Sequence, residues 1–82
     1  MDAIFTDEFR KQMGKIKDGS ILMKLRKAVK NILLNPQKGK ELGRELSGKK
    51  SVRITPFRLI FEVREKEVIF YTFEHRKKVY EK

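Results

Sequence analysis

Apolar positions along the chain fall into two kinds of period, one helical and one alternating, and the change between them divides the sequence. After a short apolar run, Ala3-Ile4-Phe5, that suits a strand, Thr6 stands where a helix N-cap belongs, with Asp7 and Glu8 in the first turn. Phe9, Met13 and Ile16 then recur at spacings of four and three, predicting a short helix through about Lys17. Asp18-Gly19 breaks it. From Ser20 a second helix is expected, its stripe formed by Ile21, Leu22, Leu25, Ala28, Val29, Ile32 and Leu33 and its end set by Asn35-Pro36. Helices joined by so short a turn read as an antiparallel hairpin whose apolar stripes need a sheet to cover. Lys24, Arg26, Lys27 and Lys30 fall off the stripe, either as a solvated face or as phosphate contacts.

From Gln37 to Lys50 no period is sustained, and Gly39, Gly43 and Gly48 mark a connecting loop with one turn of helix at Glu41 to Leu46. Beyond it the pattern becomes β. Three runs rich in Val, Ile, Phe and Tyr are separated by Thr55-Pro56 and by a charged turn near Glu65-Lys66. Loops of even length would set Arg53 opposite Arg58, Val63 opposite Val68 and Phe61 opposite Phe70. One face would then carry Phe57, Leu59, Phe61, Val63, Val68 and Phe70 against the helices. The other would carry Arg53, Arg58, Ile60, Glu62, Ile69, Tyr71, Phe73 and, if the strand runs on, His75. Like charges directly opposite destabilise a sheet, so the arginine pair suggests an anion between them. Tyr71 and Phe73 read equally as stacking surfaces for unstacked bases or as a minor apolar cluster.

Composition narrows the chemistry. The 82 residues suit one domain, 1–82, with a modest core. With no cysteine there is no disulfide frame or thiol nucleophile, and a single histidine leaves no His-rich zinc site, so neither metal nor cofactor is expected. The glycine loop lacks the Gly-Lys-Ser or Gly-Lys-Thr ending of a phosphate-binding P-loop. Neither a signal sequence nor a bilayer-length apolar span is visible, so the expected location is cytoplasmic, with no membrane partner. Lysine and arginine number 21 against 11 acidic residues, a net charge of +10. That field attracts nucleic acid, ribosome or an acidic protein.

The NP after the second helix, the VRITPFRLIFEV hairpin and the closing HRKKVY, in this order, resemble the RelE/ParE superfamily of bacterial and archaeal toxins over nearly the whole chain. The resemblance implies a small α+β fold, order β-α-α-β-β-β, with an antiparallel sheet covered by the N-terminal helical hairpin. Its RelE branch implies a ribosome-dependent mRNA endonuclease, held in check by an antitoxin. Arg53, Arg58 and Arg76 match basic positions of the family's RNA site, Tyr80 its C-terminal tyrosine, and His75 the His-Arg form of the closing motif. Lys49, Lys50, Lys77 and Lys78 would add phosphate attraction. Ser51 stands where some active members have lysine, and the chain stops two residues after Tyr80, without a further C-terminal helix found in part of the family. Metal-free cleavage needs a base for the 2'-hydroxyl, donors for the charge gathering on phosphate, and an acid for the 5'-oxygen. Arginines suit the second task; His75, with an ordinary pKa of about 6.5, and Tyr80, at about 10 unless cations surround it, are the candidates for proton transfer. Alternatives are a ParE-like protein that inhibits DNA gyrase by contact, and a decayed member that binds without cutting.

Overall fold

The computed structural model describes residues 1–37, 40–41 and 48–75. Its elements are β1 (Asp2–Phe5), α1 (Asp7–Lys15), α2 (Gly19–Leu34), β2 (Lys40–Glu41), β3 (Lys50–Ile54), β4 (Phe57–Val63) and β5 (Glu67–His75). Thr6 caps α1 as expected: its hydroxyl oxygen accepts from the Phe9 N–H at 3.1 Å. The same hydroxyl donates to the Tyr71 carbonyl at 2.7 Å, which ties the helix start to the sheet. At α2 the cap is Asp18, whose carboxylate accepts from the Ser20 N–H and hydroxyl at 2.9 and 2.8 Å. Those bonds hold the Asp18 carboxyl below its usual range. The first helix closes at Lys15, two residues short of the expected end, because Ile16 is already extended and its N–H bonds the Met13 carbonyl.

Among the described residues the sheet has the order β1-β5-β4-β3-β2. β3, β4 and β5 form the expected antiparallel meander, whereas β1 lies parallel to β5. The sheet is therefore mixed. No hairpin constrains β1, since the whole intervening chain separates it from its partner, and a parallel neighbour needs only a long connection. The second departure is β2, inside the segment expected to be a loop, where Lys40 pairs with Ser51 and Glu41 with Lys50. Two residues are too few to leave an alternating pattern. Glu41 is strand and not the start of a helical turn; positions 42–46 of that expected turn lie outside the described residues.

Both hairpin registers follow the even-loop expectation: Arg53 pairs with Arg58, Val63 with Val68 and Phe61 with Phe70. The parity then changes. Phe61 pairs with Phe70 but Ile60 pairs with Thr72, so Tyr71 is an extra residue in β5, a β-bulge. Beyond it Leu59 faces Phe73 and Phe57 faces His75. Phe73 therefore leaves the face on which strict alternation had put it and is buried with Phe9, Leu25, Ile32, Ile54, Leu59, Phe61, Val68 and Phe70 in one core. Its ring stacks on Phe57 at 4.9 Å between centroids, while Phe5, Phe9 and Phe70 form a second aromatic group.

β1 ends opposite Phe70, and α1 takes over the edge of β5 beyond that point. Gln12 acts there as a substitute strand: its amide oxygen accepts the Phe73 N–H, and its Nε2 donates to Glu74 at 3.1 Å and to Glu8 at 3.4 Å. A backbone donor that would otherwise be an orphan is thereby satisfied. This contact and the Thr6 cap fix α1 over the end of β5 that carries the bulge.

Candidate nucleic-acid face

On the side of the sheet away from the core lie Ser51 and Arg53 of β3, Arg58, Ile60 and Glu62 of β4, and Ile69, Tyr71 and Thr72 of β5. Their environments differ sharply. Arg53 is exposed, whereas Arg58 is only 6% exposed, in the central strand, with Nη1 3.4 Å from the Ser51 hydroxyl oxygen. A guanidinium cannot shed its charge, so a buried one is held in a fixed direction by whatever it bonds. The register flanks Arg58 with Arg53 on one side and Glu74 on the other. The bulge sets Glu74 opposite Arg58 in the register, and its carboxylate accepts from Gln12 Nε2 of α1 at 3.1 Å. The arginine pair is thus one exposed and one buried guanidinium on adjacent strands.

A second group sits further along the same face. Glu62 accepts from Arg64 Nε at 2.8 Å and from the Tyr71 hydroxyl at 3.0 Å, and these two bonds hold its carboxyl below the ordinary range. Burial, with the Glu62 bond second, pushes the Tyr71 hydroxyl above its ordinary pKa, so Tyr71 is a stable donor. Lys49 Nζ lies 4.9 Å from the centroid of the Tyr71 ring, in cation–π contact. The bulge explains why Tyr71 reaches Glu62: an extra residue re-aims its side chain. Sequence reading had Tyr71 on this face but not its bond to Glu62, because a one-residue insertion between two good strand formers leaves no compositional mark.

The remaining candidates divide. Lys50 faces Phe61, on the helix side, and its ammonium reaches the Pro36 carbonyl at 3.4 Å, away from Arg58. His75 also lies on the helix side, edge-on to the Phe57 ring at 5.9 Å, in a cavity shared with Gln12, Ile16, Ile21 and Phe73. The expectation that it joins the arginines is corrected by the bulge, which reverses parity after Tyr71. Arg76, Lys77, Lys78 and Tyr80 lie outside the described residues. Among the described residues no group of three or more His, Cys, Asp or Glu side chains is placed to hold a metal ion, and no helix is long and apolar enough to cross a membrane.

A family model, ParE toxin of the type II toxin-antitoxin system parDE, matches residues 3–80. No curated protein sequence matches. Among solved structures, the RelBE2 toxin-antitoxin complex of Mycobacterium tuberculosis is similar at 28% identity and a TM-score of 0.79, over 92% of this chain and 96% of that one. A YoeB/ParE toxin from Agrobacterium tumefaciens shares the fold at a TM-score of 0.81 and 15% identity, covering 93% and 99% of the two chains. The RelBE complex of E. coli does so at 0.77 and 15%, covering 90% and 94%. With the order of elements, the arginine hairpin and a family match over almost all of its length, the chain belongs to the RelE/ParE superfamily as a toxin of a type II toxin-antitoxin system.

Proposed function

We propose that the toxin is a RelE-like endoribonuclease that cuts mRNA on the ribosome and is neutralised by a protein antitoxin. The observation that carries this reading is the buried Arg58 beside the exposed Arg53 on one sheet face. In the cleavage step the 2'-oxygen attacks the adjacent phosphorus and the bond to the 5'-oxygen breaks. The products are a 2',3'-cyclic phosphate and a 5'-hydroxyl end. Arg58 is held where it can donate to the non-bridging oxygens as charge gathers, without reorganising at the moment of reaction. Arg53, exposed on the same face, suits capture of the incoming phosphate. Tyr80 and Arg76 are assigned proton transfer and further charge stabilisation by resemblance. His75, turned to the helix side, is left to a structural or peripheral role.

The second reading is inhibition of DNA gyrase by protein contact, and the observation in its favour is that the family model matched is that of ParE toxins. Induced expression separates the two. Immediate loss of protein synthesis, with mRNA ends bearing 2',3'-cyclic phosphate, supports the nuclease. Gyrase-linked DNA breaks with translation initially intact reject it.

A further inference from the structure

One carboxylate stands on the face that the arginines make attractive to phosphate. Glu62 lies four residues beyond Arg58 in β4, on the same side of the strand and about 13 Å away at 3.3 Å per residue. It repels phosphate oxygens, so a charge of this sign on an RNA face needs another use. Its surroundings point to one. The Tyr71 hydroxyl donates to Glu62 Oε1 at 3.0 Å, and Arg64 Nε donates to Oε2 at 2.8 Å. Tyr71 is half-buried in the sheet, whereas the Arg64 side chain is 56% exposed. One bond therefore orients the carboxylate, and the other is a surface ion pair, worth little and open to exchange. Each carboxylate oxygen can accept more than one hydrogen bond, so acceptor capacity is left on both.

Lys49 supplies the opposite polarity beside it. Its ammonium lies over the Tyr71 ring, 4.9 Å from the centroid. The bonds from Arg64 and Tyr71, and more weakly the charges of Arg64 and Lys49, hold the Glu62 carboxyl below its ordinary range, so it stays ionised and acceptor-only at neutral pH. Ile69 pairs with Glu62 in the register and is half-buried, an aliphatic floor next to the polar groups. A cationic donor and a fixed pair of acceptors thus stand side by side over apolar ground.

We propose that Glu62, oriented by Tyr71 and flanked by Lys49, reads the Watson–Crick edge of a guanine in the RNA strand whose phosphate the arginines hold. This rests on the proposed function in that the face takes single-stranded RNA, whose unpaired bases are read on that edge. Guanine presents its O6 acceptor, then the N1–H and N2–H donors, in a row. Lys49 answers the first and the Glu62 carboxylate the other two. Adenine and cytosine set a ring-nitrogen acceptor beside the amino group, and uracil flanks its one N–H with carbonyl oxygens, so each turns a lone pair toward the carboxylate. Guanine alone offers it two adjacent donors. The arginines then position the strand without reading it, and Glu62 supplies the discrimination.

The test uses the full-length toxin and two readouts. One is cleavage of mRNA on programmed ribosomes whose codons differ in a single base. The other is binding of short single-stranded RNA oligonucleotides in which one guanine is kept, replaced by inosine, which lacks the 2-amino donor, or replaced by adenine. Binding is measured by fluorescence anisotropy at a salt concentration that suppresses phosphate-only association. The guanine oligonucleotide should bind about 5- to 100-fold more tightly than the adenine one, with inosine between them, and guanine codons should be cut faster by a similar ratio. Glu62→Gln keeps the shape but puts a donor where the second acceptor was, and should remove most of that ratio. Arg64→Ala should keep or raise it, because the exposed guanidinium competes with the base for the carboxylate. A Glu62 that served only to pair with Arg64 would make the two variants alike, in the ratio and in melting temperature. Equal affinity for the three oligonucleotides, an unchanged ratio in Glu62→Gln, or an equal loss in Arg64→Ala overturns the proposal. Failure of the unmodified toxin to cut any codon would reject the nuclease reading alone, since the guanine ratio is still read in binding.

Discussion

Replacing Arg58 by alanine is the most direct probe of the proposed chemistry. The side chain is 6% exposed and directed by the Ser51 hydroxyl at 3.4 Å, so its donors are positioned before substrate arrives. Removing one such fixed donor costs about 2.7 to 4 kcal/mol in the transition state, or roughly 10² to 10³ in rate. The neighbouring Arg53 is exposed and has to be ordered by the RNA itself. Its loss should resemble that of a surface ion pair, about 0.2 to 1 kcal/mol, seen mainly in binding and its salt dependence. The contrast between the two is the content of the prediction. Single-turnover cleavage of mRNA on programmed ribosomes, with binding measured separately, reads both. Arg58→Lys keeps a charge without the planar fork, and should recover affinity better than rate. Since alanine also empties a buried position, melting temperature has to be followed alongside. If Arg58→Ala cuts at the unmodified rate once bound, or if the Arg53 and Arg58 variants lose rate equally, the fixed guanidinium is not the stabilising group, and the arginine face has to be reassigned to holding a partner.

Other outcomes follow from the same geometry. Tyr71→Phe removes one hydrogen bond to the Glu62 carboxylate and should lower stability by about 1 kcal/mol at neutral pH, measured by urea unfolding. Glu62 has a depressed native pKa, so its contribution is complete above the unfolded value of about 4.3 and is lost as pH falls through the lower native one. The acid limb of the stability curve should therefore be shallower in Tyr71→Phe, and an unchanged limb would dissociate the pair from stability. Phe73→Ala, deep in the core beside Phe57, should cost about 3 to 5 kcal/mol, whereas Ile69→Ala, on the opposite face and half-buried, should cost clearly less in the same assay. Gln12→Ala leaves the Phe73 N–H without its acceptor and should cost about 1 to 3 kcal/mol, with faster amide exchange at Phe73 than in the unmodified protein.

The order of elements apart from β2, the cap of the first helix and both hairpin registers were legible in the sequence because each rests on local rules: a capping residue before an acidic turn, a stripe at helical spacing, an even loop. What escaped it depended on pairings with distant chain. Residues 2–5 carry no sign that their partner is β5, or that the pairing is parallel, since an edge strand looks the same whichever neighbour it finds. The bulge at Tyr71 had the larger consequence. Strict alternation from Val68 put Phe73 and His75 beside the arginines and left Glu74 on the helix side; one extra residue exchanges the two sets, burying Phe73 and setting Glu74 next to Arg58. The composition around it, VIFYTFEH, suits either register, because every residue from Val68 to Phe73 is a good strand former. The tertiary fold decides between them: Gln12 accepts the Phe73 N–H and Thr6 donates to the Tyr71 carbonyl, both from the segment that caps and begins α1. The first helix is therefore more than a cover for the sheet. By holding the bulged edge, it determines that the face proposed for phosphate presents two arginines and a tyrosine, and that the histidine of the closing motif is turned away from them.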